Sequence, residues 1–139
     1  MEYCKFLEEY RKYTAANETP EIMHLWIGLS TLAGACEKRI WIDRGNFKVY
    51  MNLYVALVAP PGVCAKSSSI NLGRNMLREL GFNVFEDSVL KEKIIQEMCE
   101  LEKAVQKDDK IFYHSSITYI ASELNVLLAS GIDLSLIHI

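Results

Sequence analysis

The feature that most constrains this chain is Leu53-Tyr54-Val55-Ala56-Leu57-Val58, an unbroken apolar run with no alternation that stops at Ala59-Pro60-Pro61-Gly62. A strand with one wet face alternates, whereas a continuous run is expected of a strand covered on both faces in a parallel sheet. Beyond the proline-glycine break, Ile70, Leu72, Met76, Leu77 and Leu80 recur with helical spacing, and Gly81 can end that helix with a left-handed cap. The expected unit is therefore a buried strand, a small-residue loop and a helix.

That unit is suited to hold a phosphate, because the free backbone N–H groups of the helix start point at an anion. Lys66 and Ser67 sit where such a loop needs them. The lysine would neutralise β- and γ-phosphate charge, and the Ser67 hydroxyl would bind Mg²⁺. Ser68 and Ser69 add donors in the first turn and would share the role if the register shifts. Against the pattern G-x-x-x-x-G-K-[ST], Pro60 and Ala65 stand where the two glycines belong, and Gly62 is the glycine that remains. The same residues also fit a plain strand–turn–helix connection with a solvated helix start.

A chain of 139 residues, half of them apolar, has the size and composition of one domain with its own core. No apolar run approaches the roughly 18 residues of a membrane span, and no basic segment leads into an apolar one near Met1. The expectations are no membrane association and a cytoplasmic location. Cys4, Cys36, Cys64 and Cys99 form no C-x-x-C pair, which argues for reduced thiols rather than a zinc site or a disulfide framework. A net charge of −3 gives little support to DNA binding through this segment alone.

Upstream of the run, Tyr3, Phe6, Leu7, Tyr10 and Tyr13 form the stripe of an amphipathic helix over residues 2–16. Thr19-Pro20-Glu21 reads as an N-cap, a proline at the first helical position and an acid at the positive dipole end of a second helix reaching about Cys36. Ile40-Trp41-Ile42 and Phe47-Lys48-Val49-Tyr50 flank Asp43-Arg44-Gly45-Asn46, a hairpin pattern. Downstream, residues 82–85 read as a short strand, and Ser88 caps a helix running to about Val105. A polar turn follows over 106–109. Ile111-Phe112-Tyr113 and Ile117 to Ala121 are further apolar stretches, and a helix is expected from Ser122 to about Ala129. Strands alternating with helices indicate an α/β layer behind a helical preface.

Around the loop the chain resembles the phage and prophage helicase-like ATPases grouped as a family of P-loop proteins (the domain of unknown function numbered 3987), themselves similar to replicative DNA helicases of the RecA-like class. The likeness is carried by His24 to Ser30, by Ala33-Gly34-Ala35-Cys36-Glu37-Lys38-Arg39-Ile40-Trp41-Ile42-Asp43-Arg44-Gly45, and by Pro60-Pro61-Gly62-Val63-x-x-Lys66-Ser67, with weaker support from Asp87-Ser88 and Ala121-Ser122-Glu123-Leu124. The family's loop commonly reads G-P-P-G-V-G-x-K-S, so Ala59 and Cys64 replace its two outer glycines. Cys64, beside Lys66 and a helix N-terminus, is either a reactive thiol or a small residue tolerated in place of glycine.

The resemblance implies an N-terminal helical region over 1–38, then a partial P-loop NTPase (RecA-like) three-layer α/β/α domain with a leading hairpin over 39–133. It implies ATP and Mg²⁺ as ligands, with Pro61, Gly62, Val63, Cys64, Ala65, Lys66, Ser67 and Ser68 around the nucleotide and Ser67 on the metal. Glu123 is the catalytic carboxylate candidate, since RecA-like folds place an acid at the C-terminal edge of a strand to orient water or hold Mg²⁺. An acid in the first turn of the helix after Ser122 explains it equally, and Asp87 has the same ambiguity. Leu134 to Ile139 resembles translated read-through of a sequencing adapter, so 134–139 is expected to be a non-native tail, with the natural frame continuing past Asp133.

The expected function is an ATP-binding segment of a phage-type DNA replication helicase or primase-associated ATPase. DNA would be bound only through the full-length protein, and a homo-oligomer is a further expectation. An intact motor needs more strands and an arginine from a neighbouring subunit, so the expectation stops at nucleotide binding. A different reading is a non-catalytic interaction module with a degenerate loop, docking a partner on Tyr3, Phe6 and Tyr10; a kinase-like phosphotransferase on the same loop is a third. His24 and His114 lack partner spacing for a metal and are expected to be structural, as are Trp26 and Trp41 in packing.

Overall fold

The computed structural model describes residues 4–60, 62–85, 91–107 and 110–121. Among these the fold is mixed α/β, with helices packed on one another and small two-stranded sheets. No helix among the described residues is long and apolar enough to cross a membrane.

Helix α1 spans Lys5–Thr14 and carries the expected stripe, but its outer member differs. Tyr10 is buried, whereas Tyr13 is exposed and Thr14 takes the inward position one full turn after Tyr10. The Thr14 hydroxyl donates to the Tyr10 carbonyl at 2.9 Å, which satisfies it without a partner outside the helix.

Helix α2 spans Glu21–Cys36. Pro20 stands one position outside it with φ −52° and ψ 138°, and its carbonyl accepts the first helical bonds from Met23 at 2.9 Å and His24 at 3.3 Å. Thr19 is therefore not the N-cap; its hydroxyl is engaged elsewhere, as described below. Tyr10 of α1 lies so close to Gly28 that a methyl group there would sit 3.0 Å from its ring. Trp26, expected in packing, faces outward and is exposed.

The hairpin forms as expected. Strand β1, Trp41–Asp43, pairs antiparallel with β2, Lys48–Tyr50, in the register Trp41↔Tyr50 and Asp43↔Lys48. Gly45, at φ +81°, donates its N–H to the Asp43 carboxylate at 2.7 Å, the side-chain turn that an aspartate two residues before a glycine favours.

Helix α3 spans Lys66–Glu79 and packs along α2. Leu77, 1 % exposed, lies in this contact beside Gly34 of α2. The helix ends as the sequence indicates: Phe82 N–H bonds the Leu77 carbonyl and Gly81 N–H the Arg78 carbonyl, both at 2.9 Å, with Gly81 at φ +78°. That pair of bonds is the Schellman arrangement, and it leaves Leu80 on the outside, exposed rather than in the stripe.

Strand β3, Val84–Phe85, pairs in parallel with a later strand, Thr118–Tyr119, in the register Val84↔Thr118 and Phe85↔Tyr119. Between them lie α4, Lys91–Glu100, and an antiparallel hairpin of β4, Lys103–Lys107, with β5, Lys110–His114; Thr118–Tyr119 is then β6. The helix expected to reach Val105 therefore stops early. Its last bond runs from Leu101 N–H to the Glu97 carbonyl, and Val105 is then drawn opposite Phe112 across a strand pair, a pairing of β-branched and aromatic residues that sheets favour.

The largest departure concerns residues 53–58. They belong to none of the described sheets, and Leu53, Tyr54, Val55 and Val58 are exposed, Val58 by 86 %. An apolar run becomes a buried strand only when other strands flank it, and the parallel pair that forms here, β3 with β6, does not include it. The helix expected after Ser122 lies outside the described residues.

Candidate functional site

The loop from Ala59 to Lys66 is held by three local features. Gly62 adopts φ +74° with open space where a Cβ would stand, so its backbone angle, not crowding, calls for glycine. Ala65 precedes the helix with φ −70° and ψ 55° and offers no side-chain cap. The Lys66 ammonium reaches back across the loop and donates to the Ala59 carbonyl at 2.8 Å. Lys66 also donates its backbone N–H to the Cys64 carbonyl at 2.7 Å.

The start of α3 has the electrostatics of an anion site. Its first three N–H groups have no intrahelical acceptor, and that of Lys66 is engaged by Cys64, which leaves those of Ser67 and Ser68 at the helix end. No acid lies in the first turn. Lys66 is the one charged residue between Lys48 and Arg74, so the positive end of the helix dipole and the ammonium act together without a competing carboxylate nearby in sequence.

The three serines after Lys66 divide by exposure. Ser67 and Ser68 face outward, where a metal or phosphate would meet them. Ser69 is 2 % exposed and turned inward, its hydroxyl 2.5 Å from that of Thr19. Thr19 in turn donates to the Ala65 carbonyl at 3.1 Å. Because a threonine hydroxyl carries one proton, the geometry orders the pair as Ser69 donating to Thr19 and Thr19 donating to Ala65. The Ser69 hydroxyl is thereby engaged inside the fold, which leaves Ser67 and Ser68 as the exposed serines of the first turn.

Gly62, Val63, Cys64, Ala65, Lys66, Ser67 and Ser68 are thus brought together around one loop, with Val63 exposed and Cys64 half-buried. Pro61, Glu123, Asp87 and Ser88 lie outside the described residues. Among the described residues no group of three or more His, Cys, Asp or Glu side chains is placed to hold a metal ion. The exposed Ser67 hydroxyl and the uncapped helix start fit a metal held mainly by a triphosphate, which needs few protein ligands.

His24 and His114 occupy structural positions. His24 is buried with its ring edge-on to Tyr10, centroids 6.2 Å apart, and burial lowers its pKa. The same burial pushes the Tyr10 phenol up to about 12. His114 Nδ1 lies 3.1 Å from the Ser116 hydroxyl. Trp41 packs against Tyr50 and Phe112, with the Lys48 ammonium 4.7 Å from its ring centre and 5.0 Å from that of Phe112.

Two residues acquire importance that the sequence does not announce. Thr19 reads as a helix cap, and nothing local signals a partner 46 residues away. Glu37 sits at φ +50°, rare for a residue with a side chain, with its carboxylate 5 % exposed against Lys103 at 2.5 Å and Arg39 at 3.6 Å. No protein-family model matches the chain, and no curated protein or solved structure matches it either.

Proposed function

We propose that the loop from Ala59 to Ser68 binds the phosphates of ATP together with Mg²⁺, as the nucleotide-binding segment of a phage-type replicative helicase or primase-associated ATPase with a RecA-like P-loop domain. The observation that carries the reading is the Lys66 ammonium folded back over the loop onto the Ala59 carbonyl at 2.8 Å, in front of an uncapped helix start. The ammonium and the Ser67 and Ser68 amides belong to the same end of α3, which is where a triphosphate would need them. Exchange of the Ala59 carbonyl for a phosphate oxygen would replace a neutral acceptor of the ammonium by an anionic one, pairing opposite charges.

In this reading Lys66 and the amides of Ser67 and Ser68 hold the phosphates, and the Ser67 hydroxyl places Mg²⁺. ATP supplies the transferable phosphoryl group when bound. Glu123 is the proposed water-positioning carboxylate, by the family likeness alone. Binding, not turnover, is proposed for the chain by itself; DNA contact and a homo-oligomer belong to the full-length protein.

Calorimetric titration of Mg·ATP into the native chain and Lys66→Ala tests the reading. Binding to the native chain that weakens at least about tenfold in the variant is expected, from the loss of a charge-assisted contact. Equal heats in both would reject the loop assignment. The alternative, a non-catalytic module docking a partner on Tyr3, Phe6 and Tyr10, meets an obstacle in Tyr10, whose ring is already covered by α2.

A further inference from the structure

We infer that Thr19 is a positioning residue for the phosphate-facing loop, through which the α1–α2 helical region sets the conformation of Ala65 and the register of Lys66. This rests on the loop reading for its ligand but not for its geometry. Thr19 is 5 % exposed and Ser69 2 %, so their hydroxyls have no water to fall back on and each must be satisfied by protein. The chain they form, Ser69 Oγ to Thr19 Oγ to the Ala65 carbonyl, crosses from two residues before α2 to the residue before α3.

The Ala65 carbonyl is the hinge of this arrangement. It also accepts the first i−4 bond of α3, from Ser69 N–H at 3.2 Å. One oxygen therefore receives the helix and Thr19 together, using both lone pairs, and the plane of the peptide joining Ala65 to Lys66 is fixed by two donors from different elements. That peptide's N–H is the Lys66 amide bonded to Cys64, so its orientation decides where the ammonium and the following amides point. The missing glycines explain why a brace is useful. With alanine at 59 and 65 and cysteine at 64, the loop has fewer ways of shaping itself to a ligand, and a fixed loop suffers less ordering cost on binding.

The test compares Thr19→Val, Thr19→Ser and Ser69→Ala by amide hydrogen exchange without nucleotide and by Mg·ATP titration. In Thr19→Val the hydrogen-bonded amides of Lys66 and Ser69 should exchange about tenfold faster while those in the middle of α1 and α2 hold their native rates, as local opening requires. Thr19→Ser should restore both the exchange and the affinity. Ser69→Ala should give a smaller acceleration in the same amides, which keeps the test usable if valine unfolds the chain. Mg·ATP affinity should fall about three- to tenfold in Thr19→Val, the range of one net hydrogen bond. Native exchange in the loop of Thr19→Val, or acceleration spread evenly over α2 and α3, would overturn the inference. Localised acceleration with no nucleotide bound by any chain would uphold Thr19 as the brace and discard ATP as the ligand.

Discussion

The Lys66 ammonium closes its own loop by donating to the carbonyl of Ala59, seven residues earlier, at 2.8 Å. Without ligand this bond is a half-buried, solvent-competed contact, so its removal by Lys66→Ala should cost only about 0.5–1.5 kcal/mol. The melting temperature should fall by a few degrees at most, about 2–4 °C per kcal/mol for a chain near this size. Mg·ATP at one fixed concentration should raise the native melting temperature more than that of the variant, because stabilisation grows with affinity for the folded state. Equal nucleotide-induced shifts in a scanning melt would contradict the site.

The crossing of α2 and α3 depends on Gly73. A methyl group there would meet Thr31 Oγ1 at 2.7 Å and Ile27 Cγ2 at 2.8 Å. Alanine gains about 1 kcal/mol in helix propensity over glycine, whereas overpacking a filled contact costs about 1–3 kcal/mol. The second should win, because Ile27 and Thr31 are β-branched, lie on a helix and have little rotamer freedom with which to move aside. Gly73→Ala is thus expected to be less stable by up to about 2 kcal/mol in urea unfolding, and a stabilised variant would show that the helices separate freely.

What was legible in the sequence follows from the range of the interactions involved. The Asp43–Asn46 turn and the Gly81 cap depend on neighbours a few residues apart and form where the pattern places them, and the helical stripes do so apart from Tyr13 and Leu80, which are exposed. Lys66 and Ser67 stand out as candidates for the same reason, since the loop residues are contiguous in the sequence. The fate of residues 53–58 was not legible, because whether an apolar run is covered depends on strands from elsewhere in the chain. Val105 fits a helical pattern locally, and its pairing with Phe112 depends on a second segment. Thr19 shows the limit most sharply: its local motif signals a cap, and a partner beside α3 takes the hydroxyl instead.

Acidification should destabilise the chain. Burial holds His24 below its ordinary value of 6.5, so the unfolded chain takes up this proton first as the pH falls. The sign follows from linkage: the contribution is fully present above about 6.5 and is lost as the pH drops through the folded-state pKa. His114 is shifted in the same direction, again chiefly by burial. Melting temperature should therefore decline steadily below about pH 6.5, and His24→Phe, which keeps an aromatic ring against Tyr10, should have a shallower decline. A variant with the native slope would show that His24 is not the titrating group.

Glu37 joins the end of α2 to β4 through Lys103, and its burial sets this ion pair apart from others on the surface. The carboxylate is 5 % exposed and the Lys103 side chain 37 %, whereas in the Arg11–Glu21 pair the side chains are 56 % and 68 % exposed. Screening by water limits an exposed pair to about 0–1 kcal/mol. Removing Lys103 leaves a covered carboxylate with Arg39 at 3.6 Å as its cation among the described residues, and hydrogen bonds to charged groups are worth about 1.5–3 kcal/mol. A double-mutant cycle of Glu37→Gln and Lys103→Met should give a coupling of about 1–2 kcal/mol, and the Arg11–Glu21 cycle about 0.5 kcal/mol or less. Glutamine is the better probe than glycine at 37, because glycine would also relieve the φ of +50° and mask the lost bond. Couplings of equal size in the two cycles, or a Glu37 coupling that vanishes in 0.5 M salt, would show that the pair is solvated in solution and does not anchor β4 to the helix end.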